Sequence, residues 1–184
     1  MSEKDAKERI LKAAKALMDE TDDLESVTMR QIAQRAGVGV GLINYHFQSR
    51  ENLLYTAIGE VMISIMDAFR QTPPNGATPA VRLKDMMTAL CDAGARHEKE
   101  MRLGSQFQIM SGDFSAAHYL LPALREACGQ KYDENALRLI ALQLFTLTNL
   151  MMLRSDAFFR FSGTDIMNKP QRDRLISQLI DIYL

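Results

Sequence analysis

Between Thr28 and Glu51 the chain carries two short helical patterns separated by a single glycine, and this spacing constrains the fold more than any other stretch of its 184 residues. Thr28 and Gln31 have the spacing of a capping box, and Val27 and Ile32 stand where a hydrophobic staple packs, so a helix starts at Thr28. Ile32, Ala33 and Ala36 give it one small apolar face, while Arg30, Gln34 and Arg35 point elsewhere. Gly37 supplies the left-handed residue that ends it. A second helix of about two turns fits Gly39 to Phe47, with Val38, Leu42 and Ile43 facing inward and Val40, Asn44, Tyr45 and His46 outward. A helix this short persists only when packed against neighbours. Two such helices joined by a tight turn form the arrangement that places the second in a DNA major groove about 12 Å wide.

Three strings carry a resemblance: Thr28-Met29-Arg30-Gln31-Ile32-Ala33, then Ala36-Gly37-Val38-Gly39-Val40-Gly41, then Tyr45-His46-Phe47-Gln48-Ser49-Arg50-Glu51-Asn52-Leu53. In order and spacing they closely resemble the DNA-binding domain of the tetracycline-repressor (TetR) family, over residues 7 to 55. The resemblance implies a divergent all-helical domain after it that binds a small molecule and dimerises, without saying which molecule. The family more often has tyrosine where Asn44 stands.

The expected architecture is therefore all-α, with a helix-turn-helix DNA-binding domain over 1–50 and a helical ligand-binding and dimerisation domain over 51–184. Arg30, in the first turn of the earlier helix, suits a guanine edge or a phosphate, and Thr28 with its neighbouring N–H groups suits a phosphate at the helix N-terminus. Tyr45 and His46 have polar tips for phosphate oxygens, and Arg50 lies where it can clamp the DNA backbone. Val40 and Gly41 permit close approach and contact with a thymine methyl, beside Asn44. A surface arginine is often merely solvated, and one of Tyr45 and His46 is equally suited to packing on the first helix.

Net charge is −1, so the whole molecule is not a basic polyanion binder. Its distribution says more: Arg30, Arg35 and Arg50 occur between Ser26 and Arg50 with no acidic residue, while Asp19, Glu20, Asp22, Asp23 and Glu25 cluster just before. That is a local positive potential of the kind a phosphate backbone senses.

The rest of the chain reads as helices, without the alternation of a strand. Ile10, Ala13, Ala14, Leu17 and Met18 mark an amphipathic helix from Lys4 to Glu20, and Ser49 caps another whose apolar positions run from Leu53 to Phe69. Pro73-Pro74-Asn75-Gly76 breaks that helix, and Thr78-Pro79 restarts one. Further helices are expected over Pro79–His97, Lys99–Ser111, Ala116–Gln130, Glu134–Phe159 and Pro170–Tyr183, with Asp133 as a cap. The last two offer more apolar surface than one small domain needs: Leu137, Ile140, Leu144, Phe145, Thr148, Met151 and Met152, and Leu175, Ile176, Leu179, Ile180, Ile182 and Tyr183. A homodimer pairing these helices with their copies would cover the excess and match the two-fold symmetry of a palindromic operator in double-stranded DNA.

Candidate ligand-binding residues are Met66, Met87, Phe107, Met110, Phe145 and Asn149, drawn from an unusual count of 12 methionines and from polar residues embedded in the apolar pattern, namely Gln106, Gln143, Thr146 and Asn149. The same methionines at helical spacing equally build an ordinary core. Arg96, His97 and His118 are of a type to meet an anionic small-molecule effector.

Neither a nucleophile elbow, a glycine-rich phosphate loop nor zinc-ligand spacing is present, so no catalytic residues, metal or cofactor are expected. Cys91 and Cys128 read as reduced thiols of a cytoplasmic protein. Met1 to Glu8 is charged rather than apolar, unlike a signal peptide, and the most apolar stretch, Leu137 to Leu153, is interrupted by Arg138, Gln143 and Asn149, so no membrane is expected as a partner. The functional expectation is a repressor released from its operator by a small molecule; a ligand-independent DNA-binding protein and a helical adaptor without DNA binding are the alternatives.

Overall fold

The structure, a computed structural model, describes residues 3–21, 23–71 and 78–184, and within them the side chains of Glu3, Val61, Met62, Ile65, Met66, Phe69 and Arg70 lie outside the description. The described residues contain ten α-helices and no strand: α1 (Glu3–Asp19), α2 (Met29–Ala36), α3 (Val40–Phe47), α4 (Arg50–Gln71), α5 (Pro79–Arg96), α6 (Glu98–Ser111), α7 (Leu121–Cys128), α8 (Glu134–Leu153), α9 (Ser155–Ser162) and α10 (Lys169–Asp181). Short 3-10 helices, Leu24–Ser26 and Ser115–Leu120, precede α2 and α7. The chain divides into two compact units, Met1–Val61 and Met62–Leu184.

In the first unit α1 packs on α2 and α3. Ile10, Ala13, Ala14 and Met18 supply one wall of the core, Ile32, Ala33 and Ala36 another, and Ile43 with Phe47 the third. Leu53, Leu54 and Ala57 of α4 close it. Each fully buried large side chain contributes about 1.5–3 kcal/mol, which is what holds two eight-residue helices that would not stand alone. Ser49 caps α4 as expected, its Oγ accepting from the Asn52 N–H at 3.1 Å. The Pro73–Gly76 breaker lies outside the described residues.

In the second unit α5 packs against α7 and α10, and α6 against α8, around a core that includes Leu83, Met86, Met87, Leu124, Ile140, Leu144, Met152, Ile176 and Ile180. Thr78 and Asp133 cap α5 and α8.

Two expected helices are split. Ala116–Gln130 becomes a 3-10 turn followed by α7, because Pro122 lacks an N–H and belongs in a first turn, so a new helix begins at Leu121. Glu134–Phe159 breaks at Arg154 (φ −131°, ψ 50°), with neither glycine nor proline there. The break falls where the buried stripe of α8 ends at Met152; α9 beyond it has no fully buried residue and packs on the core through Phe158.

By length and composition α8 is apolar enough to cross a membrane, yet Leu137, Ile140, Ala141, Leu144, Met151 and Met152 build the core of the second unit. That also corrects the dimer surface expected from sequence. Most of the residues assigned to it, including Leu137, Ile140, Leu144, Met151, Met152, Ile176 and Ile180, are consumed inside their own chain. The large apolar residues that α8 and the end of α10 leave exposed are Leu139, Leu150 and, just after α10, Ile182. Cys91 and Cys128 are free and buried, and burial pushes the Cys91 thiol up to about 12.

Candidate functional site

The start of α2 is an open helix end built by two residues. Thr28 (φ −103°, ψ 154°) accepts the Gln31 N–H on its Oγ1, and the Gln31 side chain accepts the Thr28 N–H at 2.7 Å, a complete capping box. The N–H groups of Met29 and Arg30 remain at the helix N-terminus, where orphan donors and the helix dipole favour an anion. Arg30 is exposed and has no ion-pair partner among the described residues.

The helix ends at Gly37, left-handed at φ 63°, whose N–H bonds back to Ala33 and Gln34. A Cβ there would lie 2.8 Å from Arg9 Nη2, because Arg9 reaches across from α1 to donate to the Ala36 carbonyl. Gly37→Ala is therefore expected to cost about 1–3 kcal/mol in urea unfolding. In the Arg9→Ala background the steric part of that cost should disappear and the backbone part remain.

On α3, Val40, Gly41, Asn44 and Tyr45 share the outer face, and Tyr45 is 71 % exposed. Open space surrounds Gly41. The expectation for His46 needs correcting. Its ring is half-buried against Tyr45 (centroids 5.2 Å apart) and Phe47 (6.1 Å), and Nε2 is buried with no hydrogen-bond partner among the described residues, so that nitrogen packs rather than faces a phosphate. One feature of α3 had no sequence signal: its C-cap, Gln48, has φ 64° and ψ −43°, with the Ser49 N–H donating to the Phe47 carbonyl at 2.7 Å across it. This is a strained γ-turn on a residue with a Cβ.

Arg50 also departs from expectation. It does not reach outward for DNA: Nε donates to the Val27 carbonyl at 2.5 Å, Nη2 donates to the Leu24 carbonyl, and its side chain is only 16 % exposed. Nη1 faces Glu25 and Glu51 at 3.5 and 3.4 Å. Arg35 is likewise answered, by a two-pronged pair with Glu20 at 2.5 and 2.8 Å. The acidic cluster before α2 thus pairs with two of the three arginines counted as a positive patch, and Arg30 alone of them has no acidic partner among the described residues.

Among the ligand candidates, Met87 is buried, Phe145 packs on the core and Phe107 is half-buried. Asn149 is buried and bonded: its Oδ1 accepts from Ser105 Oγ at 2.7 Å and its Nδ2 donates to the Phe145 carbonyl at 2.9 Å. Ser105, fully buried on α6, was not singled out by sequence. Met110 is 80 % exposed and lies on the surface, not in an interior cavity. Gln106, Gln143 and Thr146 are exposed too, as are Arg96, His97 and His118. The side chain of Met66 lies outside the described residues. Among the described residues no group of three or more His, Cys, Asp or Glu side chains is placed to hold a metal ion.

Residues 10–56 match the profile of the family described as bacterial regulatory proteins, tetR family. A stretch of 96 residues, 52 % of the chain, is 33 % identical to the HTH-type transcriptional repressor KstR of Mycobacterium tuberculosis (strain ATCC 25618 / H37Rv), of which it spans 43 %. The fold resembles that of a TetR transcriptional regulator from Rhodococcus sp. RHA1, at TM-score 0.75 and 17 % identity, covering 100 % of this chain and 98 % of that one. It also resembles Thermus thermophilus FadR, a TetR-family transcriptional repressor in complex with lauroyl-CoA, at TM-score 0.74 and 18 % identity, covering 94 % of this chain and 93 % of that one.

Proposed function

We propose that this chain, whose residues 10–56 are a TetR-family DNA-binding domain, is a dimeric transcriptional repressor that binds a palindromic operator and leaves it when a small molecule occupies the second unit. The observation that carries the reading is the outward surface of α2 and α3: an open helix end at Thr28, a free arginine at Arg30, and Val40, Gly41, Asn44 and Tyr45 on one exposed face. Helix-turn-helix dimers read half-sites about one helical turn apart. The exposed stripe of α8, with Leu139 and Leu150, and Ile182 after α10 support pairing through these helices.

For the effector, the Ser105–Asn149 pair between α6 and α8 offers a buried polar handle, beside Phe145 and in the same unit as the apolar core that holds Met87. Asn149 Nδ2 keeps a second hydrogen and Oδ1 a second lone pair, enough for a carbonyl or hydroxyl on an otherwise apolar molecule. A cytoplasmic location accords with this role.

The test is binding of the purified protein to duplex fragments of its own upstream region at two salt concentrations, followed by titration with lauroyl-CoA and with coenzyme A alone. Tight, salt-sensitive binding to one palindromic fragment, reversed by the acylated compound, is the expected result. Binding that no apolar compound reverses would make the protein a ligand-independent DNA binder, and equal indifference to every fragment would make it a helical adaptor.

A further inference from the structure

Arg50 stands at the first position of α4, beside the surface described above, and in a charge count it belongs to the DNA. Its guanidinium is committed elsewhere. Nε and Nη2 form a fork that grips two carbonyls, those of Leu24, the first residue of the 3-10 turn leading into α2, and of Val27, its C-cap. Nη1 lies against Glu25 from that same turn and Glu51 from α4. Val27 is bonded directly to Thr28, the cap whose geometry opens the N-terminus of α2. At the other end of α2, Arg9 donates to the Ala36 and Gly37 carbonyls.

The geometry points to Arg50 as a positioning residue for DNA recognition, an internal strut that fixes the chain entering α2 and so aims Thr28 and Arg30, without itself touching a phosphate. The inference rests on the DNA-binding reading and corrects its contact list. The chemistry favours arginine: its planar fork presents Nε and Nη2 to the two carbonyls in fixed directions, whereas a lysine ammonium is a point charge on a flexible stem that must be ordered to do the same. Without the grip the cap would be ordered only at the moment of binding, and that cost would be subtracted from affinity.

The experiment compares Arg50→Lys and Arg50→Gln in the full chain, using an upstream duplex bound by the wild-type protein. A strut predicts that both variants lose affinity alike, by about tenfold, with the slope of log K against log salt unchanged. It also predicts faster hydrogen exchange at the Gln31 and Ile32 amides, whose acceptors are Thr28 Oγ1 and Thr28 O, while amides of α8 exchange as before. A phosphate contact predicts the reverse: lysine rescues, and glutamine lowers the slope by about 0.9 for each phosphate released. That result overturns the inference, as does unchanged exchange at Gln31 and Ile32. A role in bulk stability alone, which also overturns it, would lower the melting temperature and leave the affinity of the folded protein intact. Failure of the wild-type protein to bind any duplex would instead count against the DNA-binding reading, and the exchange comparison would still report whether Arg50 holds the cap.

Discussion

Replacing Arg30 and Tyr45 together by alanine is expected to weaken operator binding by a factor of at least about one hundred while leaving the protein as stable as before. Arg30 lies in the first turn of α2 with no acidic partner among the described residues, so its charge is not already spent within the chain. Tyr45 extends into solvent from the outer face of α3. Loss of a base-edge arginine costs about 1–3 kcal/mol per site, and the dimeric complex proposed above would lose it twice. The two readings of Arg30 separate by salt. A base contact leaves the dependence on salt intact and relaxes discrimination at one base pair, whereas a phosphate contact reduces the slope by about 0.9 per copy. Because both side chains are exposed, the unfolding midpoint should move little, within the roughly 0.5 kcal/mol typical of surface substitutions. Fluorescence anisotropy with the double variant and both single variants decides the matter; wild-type affinity in the double variant would remove α2 and α3 from the DNA.

The features of this chain that are legible in sequence are those made by residues three or four apart. The Thr28–Gln31 box, the Gly37 stop, the Ser49, Thr78 and Asp133 caps and the apolar face of α1 each follow from local spacing, and each is present. What misled was arithmetic on charges. Arg35 finds Glu20 from 15 residues away, and Arg50 finds the Val27 carbonyl from 23 away. A linear count sees three positive charges where the folded surface presents one of them free. The same limit hid Ser105, paired with Asn149 across 44 residues, and Arg172, paired with Asp92 across 80. Both look like ordinary surface positions until two distant helices meet. Apolar excess on α8 and the last helix was real, but periodicity does not say which neighbour covers a stripe, and most of it is covered by α5, α6 and α7.

Asp92→Ala is expected to destabilise the second unit strongly, costing about 3 kcal/mol or more. Arg172 of α10 is 95 % buried, so its charge has almost no water to fall back on, and it relies on Asp92 of α5 at 2.5 Å. Nη1 donates to the Ile166 and Met167 carbonyls, and Nε is buried with no hydrogen-bond partner among the described residues. Removing the carboxylate strands a buried cation between two packed helices. Lys169 also reaches Asp92, at 2.7 Å, but from the surface, so Lys169→Ala should cost well under 1 kcal/mol. Burial by itself would raise the Asp92 carboxyl, and the hydrogen bonds from Arg172 and Lys169 outweigh it, holding the group below the usual carboxylate range. A depressed carboxyl contributes its stability above the unfolded value near 3.9 and loses it as pH falls through the folded one. The gap between wild type and Asp92→Ala should therefore be fully open at pH 7 and narrow below about pH 4. Urea titrations of Asp92→Ala, Arg172→Met and the double variant separate the pair from its surroundings. If the buried cation is the source of the loss, Arg172→Met in the Asp92→Ala background restores stability, because methionine fills much of the same volume with no charge to satisfy. A double variant no more stable than Asp92→Ala would mean that the carboxylate acts through something other than Arg172.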